Sequence, residues 1–249
     1  MRRRNRFLRF RWLLAGFALF AAIPALAAFA HAAPPETARS KAAVARNTGA
    51  LSDALAERGL ALGRPVHLQI TKKPARLTAF VQAESGRFVR FRSWPICAVS
   101  GGLGTKRREG DMKAPEGVYL VGPEAMNPWS SFHLSFNLGY PNALDRLHGR
   151  TGGALMVHGD CVSAGCYAMT DPAIEEIWTL MVAAFDGGQE AVSVHIFPFE
   201  MTETALQRHR GHRDSRLWQD LAPVWAAFHE TGRVPEVRTG SGRYRLAHQ

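Results

Sequence analysis

From Val66 onward apolar and polar positions alternate: Val66, Leu68 and Ile70, then Leu77, Phe80 and Val81, then Phe88, Val89 and Phe91. A period of two predicts short strands, and Glu84-Ser85-Gly86-Arg87 supplies a hairpin turn between the last two. Trp94–Val99 predicts a further strand that ends at Gly101-Gly102, and Val118–Val121 another. Ala154–Val157 reads as a buried strand that delivers His158 at its end. Val192, Val194 and Ile196 alternate in the last one, closed by Phe197-Pro198-Phe199. After Met169 the period changes to 3.6. Asp171 stands as N-cap and Pro172 at the first helical position, and Ile174, Ile177, Trp178, Met181, Val182 and Phe185 form one face before Gly187-Gly188. Leu51, Leu55 and Leu62 predict a short helix starting near Ser52-Asp53 and broken by Gly63-Arg64-Pro65. Leu217, Leu221, Val224, Trp225 and Phe228 form an apolar stripe on one or two helices within 203–230, and Val234, Val237, Tyr244 and Leu246 suit a terminal hairpin. The expected class is α+β, mainly β, with inserted and appended helices.

Two stretches carry no such pattern. Residues 100–117 are a polar loop, and 123–153 is broken by Pro123, Pro128, Gly139, Pro141, Gly149, Gly152 and Gly153. Irregular chain of that length inside a domain is usually functional.

Composition alters this picture little, and charge alters it in one place. The chain has 249 residues, 46% hydrophobic and 21% charged, which suits a globular protein and excludes wholesale disorder. The net charge of +10 suggests nucleic acid. However, Arg2, Arg3, Arg4, Arg6, Arg9 and Arg11 stand in an acid-free N-terminus, so the remainder carries only about +4, and no nucleic-acid module follows. These arginines precede an apolar run from Trp12 to Phe29 and the small-x-small triplets Ala25-Leu26-Ala27 and Ala30-His31-Ala32. That order predicts an export signal over 1–32, cleaved after Ala32, and a periplasmic or otherwise exported protein. Left uncleaved, the run would be a membrane anchor.

Chemistry concentrates in His158-Gly159-Asp160-Cys161-Val162-Ser163-Ala164-Gly165-Cys166. A cysteine nucleophile needs a base, and a nearby histidine is the usual one. It also needs N–H groups for the developing oxyanion. Cys166, His158 and the amides of Gly165 and Cys166 are the candidates. With three cysteines, several states are open: Cys97–Cys161 paired with Cys166 free, Cys161–Cys166 paired, or all three reduced. A Cys161–Cys166 bond would abolish the nucleophile. The set His158, Cys161 and Cys166 is not a standard zinc spacing, so no metal is expected. The chemistry requires no cofactor. His195, in an alternating apolar strand, reads as a satisfied core or edge histidine, and Lys106-Arg107-Arg108 as a solvated loop.

His158-Gly159 followed by Ser163-Ala164-Gly165-Cys166 resembles the active-site segment of the L,D-transpeptidase (YkuD) family. Ala164 stands where the family has histidine, Ala168 where it has Arg or Asn, and the interval is shorter. These departures resemble the YafK-like branch. Pro95-Ile96-Cys97, Gly110–Tyr119, Phe136–Asn142, Asp145-Arg146, His148–Gly152 and Val194–Phe199 agree with that branch in order. The resemblance implies a β-sandwich-like catalytic domain, placed over 65–200; the residue pattern puts a leader and short helix (33–64) before it and a helical extension (201–249) after it. It implies a Cys acyl-enzyme at a meso-diaminopimelate carbonyl of peptidoglycan stems. In this branch it implies hydrolysis of the link to a wall-bound outer-membrane lipoprotein. The alternatives are a crosslinking or lipoprotein-attaching transferase, a non-catalytic peptidoglycan-binding module and a periplasmic thiol protein. Arg150 and Arg146 suit substrate carboxylates; His148, Tyr140 and Asn142 suit the groove wall.

Overall fold

The computed structural model describes residues 33–247. The expected export signal lies outside them. Helix α1 (Ala38–Ala56) is longer than the leucine spacing predicts. Its start is set by Thr37, whose hydroxyl accepts from Ser40 N while Ser40 Oγ accepts from Thr37 N, a reciprocal capping box. Strands β1 (Val66–Lys73), β2 (Ala75–Gln82) and β3 (Phe88–Pro95) form an antiparallel meander. The strand expected over Trp94–Val99 is two. Ile96 N makes a last bond to Ala75 O, then Cys97 N bonds Ala168 O, and β4 (Ala98–Val99) belongs to a second sheet.

After β5 (Gly117–Val121) come β6 (Met126–Asn127), β7 (Ser135–Asn137), the short α2 (Ala143–Leu147), β8 (Met156–His158) and β9 (Tyr167–Ala168). Helix α3 (Asp171–Asp186) and strand β10 (Val192–Phe199) follow. The chain closes with α4 (Glu203–Arg208), α5 (Ser215–Thr231) and the hairpin β11 (Val237–Gly240) and β12 (Arg243–Leu246).

The main sheet runs β3-β2-β1-β10-β5, with β1 and β10 parallel at its centre. All eight residues of β10 are buried, as expected for parallel strands covered on both faces. On one face Leu68, Ile70, Val194 and Ile196 pack into a core shared with Leu51 and Leu55 of α1, Ile174 and Trp178 of α3, and Phe136, Val157 and Tyr167 of the second sheet. Burying each such aliphatic side chain contributes roughly 1.5–3 kcal/mol. On the other face His67, Phe197 and Phe199 meet α5, whose Leu217, Trp218, Leu221 and Phe228 are buried, and His195 lies against His67 and Phe197. The stripe read from the sequence is therefore core. The second sheet runs β4-β9-β8-β7-β6, with β8 and β9 parallel. The α+β class with a dominant β core is thus present. Among the described residues no helix is long and apolar enough to cross a membrane.

Candidate active site

The two candidate groups lie on the neighbouring chain segments of the parallel pair β8–β9. Val157 pairs with Tyr167 and His158 with Ala168. Val157 and Tyr167 are buried in the core, so the alternation turns His158 and Ala168 to the opposite side. Cys166 stands one residue ahead of β9, two residues before Ala168, the register partner of His158.

His158 is nearly inaccessible and its ring lies 4.7 Å from that of Phe132. Its Nδ1 is 2.6 Å from Gly159 O. A carbonyl can only accept, so Nδ1 carries a proton, and Nε2 is the ring nitrogen left to act as a base. The turn after it is built for close approach. A Cβ on Gly159 would collide with Asp171 Oδ1 and sit 3.0 Å from His133 Cβ. Asp160 and Cys161 both take positive φ, at 62° and 35°. Two attachments hold this uncommon pair in place. Asp160 N donates to Asp171 Oδ1 at 2.8 Å, and Cys161 is joined to Cys97 by a disulfide. Asp171 is therefore not the N-cap expected from the sequence: Thr170 is, and the Asp171 carboxylate serves the turn instead.

The disulfide resolves the open cysteine arithmetic. Cys97 and Cys161 are paired across 64 residues, and Cys166 is the free cysteine. Cys161 is thereby removed from any metal-ligand set. Cys166 is partly accessible. Burial pushes its thiol pKa up, partly opposed by the Met156 N–H directed at the sulfur and by the Lys106 ammonium. The sulfur lies 3.9 Å from Ala154 O. Among the described residues no hydrogen bond joins it to His158, a looseness common in unliganded sites.

Gly165 has φ +107°, a conformation a side chain would strain. Its N–H donates to Ser100 Oγ at 2.7 Å, and Ser100 donates onward to Met112 O. Of the two amides expected at the oxyanion, that of Gly165 is thus engaged, and that of Cys166 has no partner among the described hydrogen bonds. Ser163 Oγ donates to Cys166 O at 2.8 Å, which steadies the nucleophile's own peptide.

The remaining sequence candidates gather elsewhere, around α2. Asn142 caps α2 by accepting from Asp145 N, and its amide donates to Val118 O and Tyr244 Oη. Buried Asp145 accepts from Tyr119 Oη at 2.9 Å and from Arg150 Nη1 at 2.6 Å. Arg146 donates to Pro141 O, His148 bonds Gly242 O, and Tyr140 reaches Lys106 O at 3.4 Å. These contacts tie α2 to the loops and the terminal hairpin; none reaches Cys166.

Sequence reasoning missed the residues that shape the 100–117 loop. Lys106 is buried, not solvated, and pairs with Asp111 at 3.0 Å. Asp111 also accepts from the amides of Arg107, Arg108 and Lys113; these bonds hold its carboxyl down at about 2 against the opposing effect of burial. Lys72 and Glu116 form a buried ion pair at 3.1 Å. Lys72 donates further to Gly104 O and Ala114 O, and Glu116 accepts from Gly104 N and Trp218 Nε1. Charges buried this deeply are tolerated only when so fully bonded. The available signal was Asp111 within a Gly/Lys-rich loop, which fits a turn-organising carboxylate.

The molecule is a two-sheet α+β domain with a free cysteine just ahead of β9 and a buried histidine at the end of the neighbouring β8. Residues 66–196 match the YkuD family, the L,D-transpeptidase catalytic domain, and the chain belongs to that family. It is 42% identical over 183 residues to the Escherichia coli K12 protein named "Putative L,D-transpeptidase YafK", covering 74% of each chain, and equally to its counterpart in strain O157:H7. Among solved structures, the helical cell shape determining protein Pgp2 of Campylobacter jejuni aligns at 18% identity with a TM-score of 0.43, over 76% of this chain and 80% of that one.

Proposed function

We propose that the protein is an exported peptidoglycan enzyme that forms a Cys166 acyl-enzyme at a meso-diaminopimelate carbonyl and passes it to water, releasing a wall-bound lipoprotein. The observation that supports the chemistry is a free cysteine two residues before Ala168, the register partner of a histidine whose Nδ1–H is committed to Gly159 O. The family supplies the substrate class. His158 Nε2 takes the thiol proton as Cys166 Sγ attacks the carbonyl carbon. The oxyanion develops toward the Cys166 N–H. Collapse breaks the C–N bond, and the proton on His158 leaves with the lysine amine. Water, deprotonated by the same nitrogen, attacks the thioester. A carboxylate is released and the thiol restored.

The name of the E. coli relative favours a second reading, in which an amine takes the place of water and a crosslink forms. One experiment separates them. Sacculi bearing bound lipoprotein are incubated with wild type and with Cys166→Ala, and soluble products are read by mass spectrometry. Lipoprotein with a free C-terminal lysine, from wild type alone, supports the hydrolase. New diaminopimelate crosslinks move the assignment to the transferase. No change with either protein, while both still bind sacculi, removes the catalytic reading for this substrate.

A further inference from the structure

A cavity of about 300 Å³ lies between the N-terminus of α5, the α2 region and the turn of the terminal hairpin. Five guanidinium groups line it: Arg107, Arg150, Arg213, Arg216 and Arg243. Two lining carboxylates oppose them, and both are already committed, Asp214 to Arg107 and Asp220 to Arg243. Asp145, behind the wall, is committed to Arg150. That leaves Arg213 and Arg216 at the mouth, both exposed and without an ion pair among the described residues. The cavity therefore holds an excess of about two positive charges in a concave, partly desolvated setting, where they attract anions most strongly.

Two further features add unpaired donors around the cavity. Arg150 is only 9% exposed; its Nη1 is bonded, but its buried Nε has no partner, and the buried Nε of Arg107 is likewise unpartnered. Buried donors are normally satisfied, and these two belong to side chains that line the cavity. Helix α5, 17 residues long, also opens here. Its N-cap Asp214 makes no capping bond, because its carboxylate is turned to Arg107. The first-turn amides of Arg216 and Leu217, two residues that line the cavity, thus have no intrahelical acceptor. The positive end of the helix adds to the arginine field.

We propose that this cavity binds a small oxyanion of charge about −2 or more, carrying phosphoryl or clustered carboxylate oxygens, at a site separate from Cys166. Guanidinium groups grip both chemistries bidentately, so the probes distinguish them. Full-chain protein is titrated calorimetrically with pyrophosphate and with citrate at low, constant chloride. Saturable 1:1 binding is expected, weakened at least tenfold in Arg213→Ala/Arg216→Ala and partly restored in Arg213→Lys/Arg216→Lys. Tighter pyrophosphate identifies a phosphoryl ligand, and tighter citrate a carboxylate one. Thermal melts of the unliganded variants check that both are folded. No saturable binding to wild type, or equal affinity in wild type and the alanine variant, overturns the site. Activity on sacculi depends on Cys166 and is scored separately, so the two proposals fail independently.

Discussion

His158 at the end of β8 and His195 in the middle of β10 are both buried strand histidines, yet the regions around them differ in every other respect. His158 has a carbonyl fixing Nδ1, an aromatic ring beside it, and a strained turn tied down by a disulfide. His195 has no partner for either nitrogen. It lies 4.6 Å from the ring of His67, whose Nε2 is also unpartnered, and burial pushes its pKa down to about 3. The sequence reading of His195 as a satisfied core histidine is correct about core and wrong about satisfied. What suits a histidine to act as a base is a fixed proton on one nitrogen, which leaves the other free to accept. Burial alone only makes it neutral.

Five experiments sharpen or break this contrast. The largest effect is expected from Cys166→Ala and His158→Ala, each lowering sacculus turnover at least a thousandfold, against less than threefold for His195→Leu; comparable losses at His195 would collapse the distinction. Next, Cys97→Ser/Cys161→Ser should cost up to about 4 kcal/mol in urea unfolding by the chain-entropy argument. It should also slow turnover, because the Asp160-Cys161 turn after His158 loses its anchor. A variant of wild-type stability and rate would show the bond to be idle.

The third test uses pH. His67 and His195 have pKa values lowered chiefly by burial, so the unfolded chain binds more protons. Their contribution is full above about pH 6.5 and is lost as pH falls below it. By pH 5 the cost is about 2 kcal/mol per histidine, readable from denaturant midpoints at pH 7 and pH 5. A fourth, smaller effect follows: His195→Leu removes two unpartnered polar atoms and should raise stability by about 1 kcal/mol while flattening the acid dependence. A destabilised variant would mean the ring has an acceptor or donor unaccounted for. Last, Lys106→Met removes a positive charge that lowers the Cys166 thiol pKa. The pH profile of alkylation should move upward by a fraction of a unit, and an unmoved profile would show Lys106 to be only a loop strut.

Much of this arrangement was legible because it is local. Cys166, His158 and Gly165 lie within nine consecutive residues, and α3 announces itself through Pro172 and a clean 3.6 period. The length of α1 was not legible, since its cap pairs Thr37 with serine instead of glutamate and much of it is solvated. Nor were the intramolecular partners of Arg150, Arg146, His148, Tyr140 and Asn142. Their chemistry suits a substrate, but residue type does not say which partner wins, and Asp145, Pro141 and the terminal hairpin claimed several of them. Asp171 illustrates the same competition: a good helix cap in sequence was taken by an amide eleven residues away.

The parallel pairing of β1 with β10 has a consequence for how the chain is made. His67 meets Ser193, 126 positions further along the sequence, and that pairing forms the middle of the main sheet. Until β10 is synthesised, the meander β1–β3 presents an open apolar edge at β1, while β5 has no neighbour at all in that sheet. Folding is therefore expected to be slow and late, governed by a contact of high sequence separation. The Cys97–Cys161 bond can close over a shorter loop before β10 exists. A nascent chain halted near residue 190 should remain protease-sensitive over 66–95, and a chain extended past Phe199 should not.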